Sequence, residues 1–192
     1  MRFKSFLLLS LIFIFVSPSK VSAVDLNVSA SVPSCDFSFR IKPEKRIPSF
    51  GNDSTIITLK ITDTNNLQIY QGTFTTDSFG TGIINFCDIG VYPTVGNYNF
   101  YFKGISSLRK LYSNVNAFGT YTTFIDFSNN GSSVLLSGDI DSSNNNFINA
   151  LDLSTLLNKF YSNDYKADLN QDGVVNAQDL SILLDNFYKS GD

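Results

Sequence analysis

Oxygen-bearing side chains recur at a regular spacing toward the C-terminal end of this 192-residue chain. Asp168, Asn170, Asp172, Asn176 and Asp179 stand at the first, third, fifth, ninth and twelfth positions of one stretch, and Val174 at the seventh would add its carbonyl. That spacing wraps a short loop around one hard cation such as calcium, which takes oxygen ligands in a flexible cage. Gly173 occupies the sixth position, where the chain must turn with positive φ. The stretch has a twin: Asp141 to Tyr161 aligns without gaps on Asp168 to Tyr188, at an offset of 27 with 10 identities in 21 positions. The first copy offers Asp141, Ser143, Asn145, the Phe147 carbonyl, Asn149 and Asp152, with Asn146 at the turning position because Asn tolerates the left-handed region. Asp139 is an alternative first ligand, if the loop is two residues longer. Without it the side chains of the first copy sum to −2 against −3 for the second, so two calcium ions are expected, the second held more tightly.

Each loop runs into an amphipathic helix. Leu153, Leu156, Leu157 and Phe160 form one apolar stripe and Leu180, Leu183, Leu184 and Phe187 the other, both at i, i+3, i+4, i+7. Only Ser162 to Ala167 separate Tyr161 from the second loop, and Ser132 to Gly138 reads as a strand. Each loop therefore has an exiting helix and no entering one, unlike a regulatory EF-hand.

Paired loop-plus-helix units of the form D-x-N-x-D-G-x-x-N-x-x-D-L-x-x-L-L resemble a type I dockerin over Gly138 to Asp192. The resemblance implies a small all-α module, residues 138–192, that folds on calcium and docks to a cohesin on a scaffold or cell surface, in the setting of polysaccharide degradation. It implies partner contacts at the pair before each last ligand, Ala150-Leu151 and Ala177-Gln178. It also implies contacts later on the helices, at Leu157-Asn158 and Leu184-Asp185, where the family's Lys-Arg pair is replaced.

The rest of the composition removes competing chemistries. Histidine and tryptophan are absent and Glu44 is the single glutamate beside 16 aspartates, which excludes a His-dependent triad, a zinc hydrolase and a two-glutamate glycosidase. Residues 139 to 192 carry 3 cations and 9 carboxylates, whereas residues 24 to 138 carry 8 of each, so no basic nucleic-acid face is expected. The protein is read as non-enzymatic. An enzyme would need an Asp pair such as Asp77 and Asp88 in a cleft.

At the other end, Arg2 and Lys4 precede an apolar run from Phe6 to Val16 and a small-residue pattern Val21-Ser22-Ala23. This is the layout of a secretory signal peptide, residues 1–23, with no membrane span left after cleavage. Cys35 and Cys87 in an exported chain suit one structural disulfide, with two separate buried thiols as the alternative. Between residues 24 and 137 apolar residues alternate in short runs: Phe37–Ile41, Thr55–Thr62, Leu67–Thr75, Ile83–Phe86, Asn97–Phe102 and Tyr121–Phe127. Six or seven such strands over this length predict a β-sandwich of Ig or prealbumin-like type. Thr76-Asp77-Ser78-Phe79-Gly80 followed by Pro93 and Gly96-Asn97-Tyr98 resembles the prealbumin-like, carboxypeptidase regulatory-like sandwiches, in which a T-D-x-x-G hairpin precedes a P-x-x-G-x-Y strand. That resemblance implies a binding or spacer domain. The expected whole is a secreted β-sandwich followed by a dockerin-like module with a cohesin-type partner. The competing expectation is a freestanding adhesin or polysaccharide-binding protein offering Tyr92, Tyr98, Tyr101 and Tyr121 to sugars.

Overall fold

A computed structural model describes residues 35–46, 53–118, 123–128, 134–143 and 145–192. The expected signal peptide, and Tyr121, lie outside these residues. Among the described residues no helix is long and apolar enough to cross a membrane.

Among the described residues seven strands form two sheets: β1 (Asp36–Arg40), β2 (Ile56–Asp63), β3 (Gln68–Thr75), β4 (Thr81–Asn85), β5 (Gly96–Gly104), β6 (Lys110–Ala117) and β7 (Thr123–Asp126). One sheet has the order β4-β1-β7 and the other β3-β2-β5-β6. All pairings are antiparallel except β1 with β7. Period-two patterning explains the layering: Phe37 and Phe39, Ile57, Leu59 and Ile61, and Phe100 and Phe102 all point inward and are fully buried. The core is a nest of aromatic rings, with Phe37 stacked on Phe100 at 5.2 Å and Phe102 tilted against Phe127 at 4.8 Å. Cys35 and Cys87 are joined in a disulfide with a Cα–Cα distance of 5.4 Å, fastening the start of β1 to the segment after β4.

The Thr76–Gly80 segment does not close a hairpin. β3 and β4 lie in different sheets, and the segment carries the chain across from one to the other. Asp77 organises it by accepting hydrogen bonds from the Phe79 and Thr81 amides on one oxygen, with Gly80 at φ +75 completing the turn. Strand β6 was not legible in the pattern. It is an edge strand with little burial, and Asn114 at φ +57 sits at the register shift between the Tyr98–Val115 and Phe100–Tyr112 pairs. The strand expected before the first loop is reduced to two isolated bridges, Pro43 with Leu135 and Ser107 with Ser137.

The expected all-α dockerin-like module is not what the chain forms. Regular structure is mostly β, and the C-terminal segment contributes only two nine-residue helices, α1 (Ala150–Asn158) and α2 (Ala177–Asp185), between long loops and turns. The described residues all belong to one compact unit. The reason lies in packing. The apolar cluster of the tail, Ile140, Ile148, Leu156, Ala167, Leu169, Val175, Ile182 and Leu183, incorporates Leu108 from the β5–β6 connection. Two nine-residue helices bury too little surface to stand alone, and β-rich neighbours complete their core.

Candidate metal site in the paired loops

Both helices begin the same way. Asn149 and Asn176 cap them in extended backbone conformation, and Asp152 and Asp179 at the third helical position return the bond to the cap amide as reciprocal capping boxes. These two aspartates are wholly buried, and each is the hub of its loop. Asp179 accepts from the amides of Leu169 at 2.7 Å, Asn170 at 3.1 Å and Asn176 at 2.8 Å. Asp152 accepts from Ile140 at 2.7 Å, Asp141 at 2.9 Å and Asn149 at 2.9 Å.

These contacts reveal a register that differs from the gapless alignment. Ile140 and Asp141 stand where Leu169 and Asn170 stand in the second copy, an offset of 29. Farther on, Asn145 accepts from the Phe147 amide as Asp172 does from Val174, and Asn146 and Gly173 both have positive φ, an offset of 27. The first loop therefore carries two extra residues between Asp141 and Asn145, and Asp139 takes the place of Asp168. Ile140 and Leu169, which follow them, are buried in the same apolar cluster.

Asp139, Asp141 and Asp152 are all buried, and each can offer an oxygen within 4.8 Å of the others'. Asp139 is 2% exposed, pairs with Lys103 from β5, and keeps its Oδ1 buried without a hydrogen-bond partner among the described residues. Burial holds its carboxyl above the ordinary value, against the pull of Lys103. Burial likewise raises Asp179, despite its three amide partners. Buried carboxylates crowded in this way, one with a bare oxygen, are a donor set that suits a hard divalent cation. The Ser143 hydroxyl is turned to a neighbour and donates to both oxygens of Asp141, at 2.7 and 2.8 Å. In the second loop Asp168 accepts from the amides of Asp172 and Gly173, and Asp172 accepts from the Asn170 and Asn176 side chains. The Phe147 and Val174 carbonyls lie against the side-chain amides of Asn149 and Asn176.

The repeats interlock as a pseudo-symmetric pair. The Tyr161 amide donates to the Val175 carbonyl and the Val175 amide to that of Ser162, both at 2.8 Å, while Ile148 and Tyr188–Lys189 exchange the matching bonds at 3.0 and 2.9 Å. On the outer surface Leu151, Leu157 and Leu184 are 58%, 51% and 50% exposed, whereas Leu156 and Leu183 are buried. Ala150, Asn158, Ala177 and Gln178 are exposed beside them. Asp185 is exposed but paired with Lys45 of the β-rich part. Glu44, whose role the sequence did not suggest, accepts from the Ser137 amide at 3.0 Å and from the Asn186 side chain. Lys166 donates to the Asp141 carbonyl at 2.8 Å, tying the inter-repeat segment to the first loop. Glu44, Lys103 and Lys166 carry no motif, and the bonds of Glu44 to Ser137 and Asn186 and of Lys103 to Asp139 span 36 to 142 residues of sequence.

No family model matches the sequence, and no curated protein matches it. Among solved structures, a chain of a type II cohesin–X-dockerin complex from Acetivibrio cellulolyticus carrying a C-terminal interface mutation superposes with a TM-score of 0.55. It is 18% identical, and the match covers 81% of this chain and 96% of that one. A chain of the same complex with an N-terminal interface mutation gives a TM-score of 0.54 at 19% identity and the same coverage. At such identity the likeness establishes the fold alone: a β-sandwich architecture shared with a component of cohesin–dockerin complexes.

Proposed function

We propose that this protein is a non-catalytic, extracellular component of a cohesin–dockerin type assembly, which it enters through a calcium-loaded pair of loops. The observation that carries this reading is the oxygen cage built twice, around Asp152 and Asp179, with a bare buried oxygen of Asp139 in the first. The first loop holds calcium with Asp139, Asp141, Asn145, the Phe147 carbonyl, Asn149 and Asp152. The second uses Asp168, Asn170, Asp172, the Val174 carbonyl, Asn176 and Asp179. With Asp139 in place of Ser143 both ligand sets carry −3, but Lys103 beside Asp139 offsets one charge of the first, which keeps the first site the weaker. Calcium neutralises carboxylates that burial otherwise penalises, so binding tightens the loops from which α1 and α2 start. The helices then present Leu151, Leu157 and Leu184 as apolar anchors for a cohesin-type partner.

The fold likeness favours a second reading, in which the sandwich takes the cohesin-like side and receives a dockerin. Retention of the protein on immobilised cohesin and on immobilised dockerin, with calcium and with EDTA, separates the two. Calcium-dependent capture by cohesin, weakened roughly thirtyfold or more by Leu151→Asp (about 2 kcal/mol at a central contact), supports the first. Capture by dockerin that Leu151→Asp leaves unchanged supports the second. Binding to neither refutes membership of such an assembly and leaves the freestanding polysaccharide-binding protein.

A further inference from the structure

The outward face of the four-stranded sheet does not run flat into the repeats. Between β2, β5 and the first loop lies a cleft of about 610 Å³, bordered by Thr58, Lys60, Tyr101, Lys103, Arg109 and Lys166. Its size falls in the range of ligand clefts, roughly 300–1,000 Å³. Four of the chain's 14 cations line it and no carboxylate does, in a protein whose formal charge is −3.

Register explains how they meet. Lys60 of β2 faces Tyr101 of β5, and Thr58 faces Lys103, two pairs along. Alternation puts all four on the side of the sheet away from the aromatic core. Lys60 and Arg109 both lie over the Tyr101 ring, at 5.4 and 5.9 Å from its centroid, which holds two long side chains at the rim of the cleft. Lys103 is neutralised by Asp139. Lys60 and Lys166 have no carboxylate partner among the described residues, and Arg109 is engaged through Nε by a main-chain oxygen of Asp192. Like charges gathered in a concave site repel one another and focus a positive potential, which an anionic ligand relieves.

We infer that this cleft binds a segment of acidic polysaccharide through its ring carboxylates. Cations drawn from three separate elements suit charges spaced along a chain better than one compact anion. The hydroxyl of Thr58 and the side-chain amide of Gln71, on the same walls, suit sugar hydroxyls. Nucleobases find no platform, because the Tyr101 ring is already occupied by cations. The site uses none of the exposed leucines of the helices, so it stands or falls apart from the docking reading.

Calorimetry of the full chain at fixed free calcium decides the matter, with trigalacturonate, a neutral glucan trisaccharide and a tri-aspartate peptide as probes. Trigalacturonate should bind, weaken as salt rises, and lose at least tenfold in affinity in Lys60→Gln/Arg109→Gln, a change at one half-buried and one exposed position whose folding is checked by circular dichroism against the parent. Absence of trigalacturonate binding, equal affinity for the neutral trisaccharide, tighter binding of the peptide, or an unaltered affinity in the double variant would each overturn the proposal.

Discussion

Asp179→Ala tests whether the buried aspartates are architectural before they are ligands. The substitution strips three amides of their acceptor, and two of them, on Leu169 and Asn170, are buried. Each buried donor left unpaired costs about 1–3 kcal/mol, and loss of the capping box about 1 kcal/mol more. The gross penalty is about 3–7 kcal/mol. Part is returned, because the carboxyl is held above its ordinary value by burial and its removal relieves that cost. The net loss expected is about 2–5 kcal/mol, a large share of the roughly 5–15 kcal/mol by which domains are stable. Asp152 accepts the same three bonds in its own loop and is equally buried, so Asp152→Ala should lose a similar amount. The assay is urea unfolding in EDTA, followed by far-ultraviolet circular dichroism. Stability within about 0.5 kcal/mol of the parent, the ordinary range for surface changes, combined with lost calcium binding, would refute the reasoning. The aspartates would then serve the metal alone, and the loops would be unformed without it.

Burial holds Asp139 and Asp179 above the ordinary 3.8, so in EDTA their contribution to stability is complete below that value and is lost as pH rises through the raised folded-state values. The stability difference between the parent and Asp139→Asn should therefore decline as pH rises above the ordinary carboxylate value and reverse in saturating calcium, which binds the ionised form; a flat difference in EDTA refutes burial as the cause. Removing the disulfide with Cys35→Ser/Cys87→Ser opens a loop across a sequence separation of 52 and should cost about 4 kcal/mol by chain entropy. Thermal unfolding measures it, and a variant as stable as the parent shows that the aromatic core alone secures β1.

Local pattern carried much of the architecture. Alternation in Phe37–Phe39 and Phe100–Phe102 is enough to place two inward faces, because a side chain's direction along a strand depends only on parity. The turning positions Asn146 and Gly173 were legible for a similar local reason, because the loop must turn there with positive φ; Asn149, Asp152, Asn176 and Asp179 were singled out as oxygen donors, while their capping of the two helices emerged from the structure. Three things were decided only in three dimensions. The first loop's register rests on which amides reach Asp152: the sequence leaves Asp141 and Asp139 both open as the first ligand, and these contacts decide for the loop two residues longer that starts at Asp139. Strand β6, poor in apolar residues, exists because β5 offers it an edge to pair with. The tail is part of a β-rich unit and not a helical module of its own, because Leu108, Lys103 and Glu44 reach it from distant positions. Contacts of that kind leave no periodic trace in sequence, since their strength depends on burial and distance that the folded chain alone creates.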